Sequence, residues 1–164
     1  MVLLALYIKC DFENIASIEF PSPSYHYCVD VKDSQSDETR EGVFMCGEET
    51  QELDNSRGEA HFVIKFPDSK KQASVVFTEI KNKTTSGFVR ESGTWTPVVA
   101  FECRGLEPTA FYPTKGVVVT STGGTTWRDV DLSEDPDGWF EYCENSGESV
   151  GITEFAYEFR KEKA

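Results

Sequence analysis

The chain has 164 residues, of which 38% are hydrophobic and 27% charged, a composition typical of a folded domain rather than a disordered one. Its formal net charge of −13 argues against binding to nucleic acids or anionic membranes, because such a surface repels phosphate groups. The length predicts a single domain over residues 1–164, with a core that needs neither metal nor disulfides to form.

The N-terminal part reads as two strands, each with one buried face. Apolar and more polar residues alternate from Leu4 to Phe12 and again from Tyr25 to Val31, which is the period of a half-buried strand. The opening VLLALYI is too short for a membrane span and follows no basic segment, so we expect neither anchor nor signal peptide. The five cysteines are odd in number and form no CxxC, which favours a reducing cytoplasmic location.

The most polar segment, residues 33–58, is predicted to be a partly mobile excursion outside the sheets, with one apolar island at 43–46. Beyond it, the alternating runs 59–66 and 73–81 flank a polar hexapeptide and predict a hairpin. Lys65, Lys70 and Lys71 are then expected to be solvated side chains at the hairpin tip.

The C-terminal half continues the same pattern. Further strands are predicted at 97–103, 116–121 and 151–159, and the acidic stretch 128–147 is predicted to hold a short helix. Many short strands with regular turn signals predict an all-β fold of two packed, mostly antiparallel sheets, either a sandwich or a flattened barrel.

The phrase FECRGLEP, residues 101–108, predicts a strand that ends in a tight corner, where Pro108 stops the ladder of backbone hydrogen bonds. Gly105 permits a backbone turn that other residues resist, and Arg104 lies between two glutamates, Glu102 and Glu107. A guanidinium favours bidentate carboxylate contact, so one interpretation is an ionic latch across the corner. In the alternative, Arg104 faces outward with its neighbouring carboxylates and binds the carboxylate or phosphate of a ligand.

The sequence assembles no catalytic constellation. Cys103 is predicted to face the core, and both histidines, His26 and His61, lie on strands opposite the apolar rows. There is no G-x-S-x-G, and the Gly-Gly of STGGTTW is followed by no lysine. We therefore expect a non-enzymatic binding or adaptor module, with Trp127 among the candidate contacts for a protein partner, although core packing also accounts for a tryptophan.

Four phrases, in this order, resemble the eukaryotic CXXC-motif-containing zinc-binding protein family, whose function is unknown. They are LALYIKCDFENI, FECRGLEP, GGTTWRDVDL and GESVGITEFAYEF, and the resemblance runs from about residue 3 to residue 160. It implies an all-β fold of two packed sheets and a zinc site built from two CxxC knuckles at hairpin tips.

The resemblance also implies where the zinc ligands would be. The register of the flanking strands places them at Lys32, Gln35, Phe66 and Ser69, none of which is a thiol. We therefore expect a degenerate site, no zinc and no other cofactor, with Phe66 packed where the metal would tie the hairpin tips together. A substitute metal site formed by Cys28, Cys46 and His61 remains open.

Overall fold

The computed structural model describes residues 1–54 and 58–163 of the chain. Within these ranges the regular structure consists of fifteen strands: β1 Val2–Glu13, β2 Ile15–Glu19, β3 Tyr27–Asp33, β4 Thr39–Met45, β5 Gln51–Glu52, β6 Glu59–Ala60, β7 Phe62–Ile64, β8 Ala73–Thr78, β9 Phe88–Val89, β10 Thr96–Arg104, β11 Leu106–Tyr112, β12 Val117–Ser121, β13 Thr126–Val130, β14 Trp139–Cys143 and β15 Glu148–Glu162.

The strands form four sheets in which every pairing is antiparallel. The largest sheet has six strands in the order β14-β15-β1-β10-β8-β7, and the others have the orders β11-β3-β4, β13-β12-β2-β9 and β5-β6. The predicted all-β, mostly antiparallel class is confirmed. No helix in the described ranges is long and apolar enough to cross a membrane.

Aromatic side chains join the three-stranded sheet to the six-stranded sheet. Tyr27 on β3 packs edge to face on Phe77 and Phe101, with ring centroids 5.6 and 6.0 Å away, and Phe111 on β11 lies 6.4 Å from Phe155. Such pairs contribute about 0.5–1.5 kcal/mol beyond the area they bury. The two sheets therefore enclose one apolar layer, with β3 running across the middle of it.

The chain passes from the six-stranded sheet to the four-stranded sheet at a single residue between β1 and β2. Asn14 has a φ of 54°, in the left-handed region that asparagine tolerates better than most residues, and its Nδ2 donates to the Ser149 carbonyl at 2.9 Å. The side-chain hydrogen bond and the backbone turn together let one apolar run feed two sheets.

Two predictions about local structure are wrong. Segment 33–58 does not lie wholly outside the sheets, because residues 39–45 form β4 and pair with β3, from Tyr27 opposite Met45 to Lys32 opposite Thr39. Residues 55–57 of that segment lie outside the described residues. The acidic stretch 128–147 contains strand β14 and the end of β13 rather than a helix, because backbone pairing with β15 and β12 outweighs its polar composition.

Candidate functional site

The candidate site is a basic cavity at the corner where β10 ends and β8 begins. Arg104 is the last residue of β10 and pairs with Ser74 on β8, so its side chain stands beside the loop that joins β7 to β8. That loop carries three lysines, and the cavity has a volume of about 430 Å³. Its lining consists of Leu53, Asp54, Lys65, Lys70, Lys71, Gln72, Ser74 and Arg104.

The four cationic side chains of this cavity are not neutralised by neighbouring carboxylates. None of them takes part in the ion pairs found among residues 1–54 and 58–163. Among the described residues of the lining, Asp54 is the one acidic residue, and its backbone N–H donates to Gln72 at 2.6 Å. Like charges gathered in one cavity repel each other, so the arrangement favours an anion that lies among them.

The FECRGLEP corner has the predicted backbone but not the predicted latch. Gly105 has a φ of 76° and its carbonyl accepts the Ser34 N–H at 3.0 Å, which turns β10 into β11. Arg104 is exposed and, in the part of the chain that the structure describes, pairs with neither Glu102 nor Glu107. The ionic-latch interpretation is therefore wrong, and Arg104 has the outward orientation of the alternative.

Glu107 lies away from Arg104 in a second, polar cavity of about 460 Å³. This cavity is lined by Glu107, Thr109 and the loop 32–37. The two residues of FECRGLEP that we singled out as ligand contacts therefore face different cavities.

Cys103 is unsuited to nucleophilic catalysis. Its side chain is buried in the core, and this desolvation raises the pKa of the thiol to about 12. The neutral thiol predominates at physiological pH, so Cys103 is a packing residue.

The loops that carry Lys32, Gln35, Phe66 and Ser69, the metal positions implied by the resemblance, lie next to each other. The backbone N–H of Asp68 donates to the Glu38 carboxylate at 3.1 Å, which joins the tip of the β3–β4 hairpin to the tip of the β7–β8 hairpin. Buried Asp33 closes the first tip by accepting the Gln35 N–H at 3.2 Å and the Ser36 hydroxyl at 2.8 Å. One hydrogen bond between the tips and two within the first tip thus occupy the corner.

The residues at these positions do not fit a zinc ion. Lys32 is exposed and lies 3.8 Å from the Asp37 carboxylate, while Gln35 is exposed. Phe66 is buried in the core, and the Ser69 hydroxyl donates to the Lys71 carbonyl at 3.1 Å. An ammonium, an amide, a phenyl ring and a hydroxyl do not supply the thiolate or imidazole donors of a structural zinc site.

The substitute metal site that the sequence left open, with Cys28, Cys46 and His61 as ligands, is not assembled as a group. The Nδ1 atom of His61 accepts the backbone N–H of Phe77 at 2.8 Å, and burial lowers the pKa of this imidazole. Instead, donor atoms of His26, Cys46 and Glu49 lie within 4.8 Å of one another. Only Cys46 belongs to both sets. Sequence spacing did not predict the observed set, since it could not show that β3 and β4 bring residues 26 and 46 together.

Trp127 is half-buried and packs edge to face on Trp139, with ring centroids 5.3 Å apart. This contact joins β13 to β14, which belong to different sheets. Packing therefore accounts for much of the Trp127 side chain, which is only partly available to a partner.

One polar cluster was missed by sequence reasoning. The Cys143 sulfur is buried and lies 3.4 Å from the Ser121 hydroxyl and 3.2 Å from the Thr125 hydroxyl. Hydrogen bonds from Ser121, Ser146 and Thr125 lower the pKa of this thiol to about 6. The STGGTT turn could have indicated hydroxyls at this place, but only the pairing of distant strands puts the thiol beside them.

Comparison with known proteins gives consistent matches along the whole chain. Residues 5–160 match the family described as CXXC motif containing zinc binding protein, eukaryotic. The chain is 34% identical to the UPF0587 protein CG4646 of Drosophila melanogaster, over 99% of each chain. It is 29% identical to the CXXC motif containing zinc binding protein of Homo sapiens, over 96% of this chain and 98% of the human one.

Solved structures share the fold over nearly the same length. A hypothetical protein from Plasmodium falciparum superposes with a TM-score of 0.84 at 31% identity, covering 98% of this chain and 100% of the other. The crystal structure of C1orf123 superposes with a TM-score of 0.83 at 26% identity, covering 97% and 99%.

Proposed function

Because this chain belongs to the eukaryotic CXXC motif containing zinc binding protein family yet contains no CxxC, we propose that its family-type zinc site is degenerate and that it acts as a non-enzymatic binding module in the cytosol. The proposed ligand is a small polyanion, such as a phosphate ester or a di- or tricarboxylate, held in the basic cavity at Arg104. Five free cysteines, all buried, support the reducing compartment.

The observation that carries this proposal is the concentration of positive charge in one cavity of an acidic protein. The chain has 16 lysines and arginines against 29 aspartates and glutamates, yet four of those cations surround a single cavity with one acidic residue. A guanidinium binds phosphate and carboxylate groups bidentately, and the ammonium groups add charge without demanding one geometry. The cavity volume of about 430 Å³ suits a small molecule.

The cavity lining supports binding rather than catalysis. It contains no histidine and no cysteine, so its groups can hold an anion but offer no nucleophile with an adjacent base. An enzymatic role for Arg104 would need a general acid or base from elsewhere, and Asp54 is the one candidate carboxylate at the cavity.

The test is thermal unfolding of the full chain with pyrophosphate or citrate, each compared with sodium chloride at equal ionic strength. At ten times its Kd a ligand adds about 1.4 kcal/mol to the unfolding free energy. For a chain of this size that raises Tm by roughly 3–6 °C. Pyrophosphate represents the phosphate class and citrate the carboxylate class, so the two arms distinguish the chemistry.

The variant Arg104→Gln should abolish the Tm increase, and the matched control Arg128→Gln should preserve it. Arg128 is exposed on β13, outside the cavity lining, and the control removes the same unit of charge. If neither polyanion raises Tm beyond the salt control, or if both variants lose the effect equally, the anion-binding proposal is wrong.

The degenerate zinc site has its own experiment. Protein purified without added zinc should contain much less than one equivalent of metal at the 32–35/66–69 corner, and EDTA should leave its unfolding transition unchanged. Cysteines introduced together at positions 32, 35, 66 and 69 should create a zinc site if the register is right. Near-stoichiometric zinc that these four positions hold in the unaltered chain would contradict the proposal.

A protein partner is the second candidate, and the edge strand β14 favours it. Phe140 and Tyr142 on this strand are 59% and 57% exposed, and β14 ends the six-stranded sheet. An extended segment of a partner could pair with this edge and cover both rings. A partner that binds the native chain and the Phe44→Ser control, but not Tyr142→Ser, would support this surface; equal binding by both variants would exclude it.

A further inference from the structure

We propose that His26, Cys46 and Glu49 form a binding site for a divalent cation of the zinc class, distinct from the family's CxxC corner. One imidazole nitrogen, the Cys46 sulfur and one carboxylate oxygen all lie within 4.8 Å of one another. The His26 Nε2 and Glu49 Oε1 atoms are 3.4 Å apart. Three different metal-binding side chains therefore converge on one point.

The β3–β4 hairpin brings two of these residues together. Tyr27, the first residue of β3, pairs with Met45, the last residue of β4, so the residues just outside the ladder, His26 and Cys46, are neighbours. Glu49 follows Cys46 by three positions across the turn at Gly47 and Glu48. This C-x-x-E spacing returns the second ligand to the side of the first, as the spacing of a metal-binding knuckle does.

The turn that carries Cys46 is fixed before any ion arrives. The Gly47 N–H donates to the Pro23 carbonyl at 3.1 Å, and a β-carbon at position 47 would lie 3.2 Å from the Pro23 Cβ. Cys46 is fully buried, while the His26 and Glu49 side chains are 52% and 64% exposed above it. The thiol is thus held within the packed core, and the two exposed outer ligands have room to adjust around an ion.

The distances suit a tetrahedral ion after a small adjustment. Zinc bonds of about 2.3 Å to sulfur and 2.0–2.2 Å to nitrogen and oxygen place neighbouring ligand atoms roughly 3.3–3.8 Å apart. Rotation of the exposed His26 and Glu49 side chains would close the remaining gap. Three protein ligands and a water make an open four-coordinate site, and a thiolate with an imidazole favours zinc, cobalt or copper over calcium or magnesium.

This site and the family corner lie at opposite ends of the same strand. The corner begins at Lys32 and Asp33, at the end of β3, and the proposed cluster precedes Tyr27, at its start. Six steps along a strand at about 3.3 Å each separate them by roughly 20 Å. An ion at His26, Cys46 and Glu49 would therefore not restore the metal bridge between the hairpin tips.

The test is cobalt titration of the full chain after chelator treatment, followed by absorption spectroscopy. We expect one bound ion with visible bands of tetrahedral intensity and a thiolate-to-cobalt charge-transfer band in the near ultraviolet. Zinc should displace the cobalt. Cys46→Ser should lose the charge-transfer band, and Cys28→Ser, which removes another buried thiol near the same hairpin, should keep it.

Two exposed ligands keep the test valid if Cys46→Ser unfolds. His26→Gln and Glu49→Gln should each weaken cobalt binding by at least the roughly tenfold typical of lost supporting groups. Glu48→Gln removes the same charge one residue away and should bind like the unaltered chain. Absence of a stoichiometric cobalt complex, or equal weakening by Glu48→Gln and Glu49→Gln, would overturn the proposal and leave only an exposed contact between the His26 and Glu49 side chains.

Discussion

The substitution Phe66→Ala tests whether apolar packing holds the hairpin corner at which we propose a degenerate metal site. Phe66 is 1% exposed and belongs to the main buried cluster, with Phe62 and Ile64 packed against that cluster. It directly precedes the turn whose Ser69 N–H donates to the Phe66 carbonyl at 3.0 Å. The ring therefore connects the tip of the β7–β8 hairpin to the core.

The expected loss of unfolding free energy is about 3–5 kcal/mol, the range for truncating a buried phenylalanine to alanine. A domain with a total stability of about 5–15 kcal/mol would survive this change or come close to unfolding. Phe66→Leu keeps most of the apolar volume and should lose less. Phe140→Ala removes the same ring where it is 59% exposed and should change stability by less than about 0.5 kcal/mol.

Urea unfolding, monitored by tryptophan fluorescence and circular dichroism, measures these differences. Each curve is recorded with and without EDTA, and the chelator should shift no midpoint. A loss below about 1 kcal/mol for Phe66→Ala would fall short of the range for buried aromatic truncation and refute the packing role. A large destabilisation by EDTA that Glu49→Gln also shows would mean that a cation bound at the corner, rather than this ring, stabilises it.

Three further predictions concern thiols, the hairpin link and acid stability. A thiol reagent such as DTNB should react with none of the five cysteines in the native chain, because all five are buried. In denaturant it should react with all five. Rapid labelling of Cys103 in the native chain would contradict its position in the core. Glu38→Ala removes the acceptor of the Asp68 N–H and should cost about 1 kcal/mol in urea unfolding, whereas an unchanged midpoint would mean that the link contributes nothing. The hydrogen bond from Lys83 lowers the pKa of Glu162 below its usual 4.5, so the stabilisation from this carboxylate is present above pH 4.5 and is lost as pH falls through the lower folded pKa. Glu162→Gln should therefore destabilise the fold at pH 7 and have no effect in acid. A destabilisation that does not change with pH would exclude this linkage.

Sequence reasoning gave the outward orientation of Arg104 only as an alternative, and the basic cavity shows why. From sequence, Lys70 and Lys71 resemble a solvated hairpin tip, and Arg104 is flanked by glutamates that make an ion pair plausible. Alternation along the strand puts Glu102 and Arg104 on one face, which by itself is compatible with an ion pair, whereas Glu107 lies beyond the corner. The pairing of Arg104 with Ser74 then brings it to the lysine loop, and this pairing is a property of the sheet alone.

Backbone periodicity and turn residues determined the class of this protein from sequence alone. Alternation with a period of two is imposed locally by the pleat, so the long strands β1, β10 and β15 and the Gly105 corner were predictable. The absence of any CxxC motif is equally evident in the sequence, because donor chemistry belongs to each side chain by itself.

Only the tertiary structure decided which distant residues meet. Strand β4 lies in a polar segment, and its pairing with β3 places His26 beside Cys46, twenty positions later in the chain. The same kind of pairing surrounds one cavity with cations from two separate segments. Strand register depends on the total of backbone hydrogen bonds and buried faces across the whole molecule. No local sequence pattern therefore predicts these contacts between distant residues.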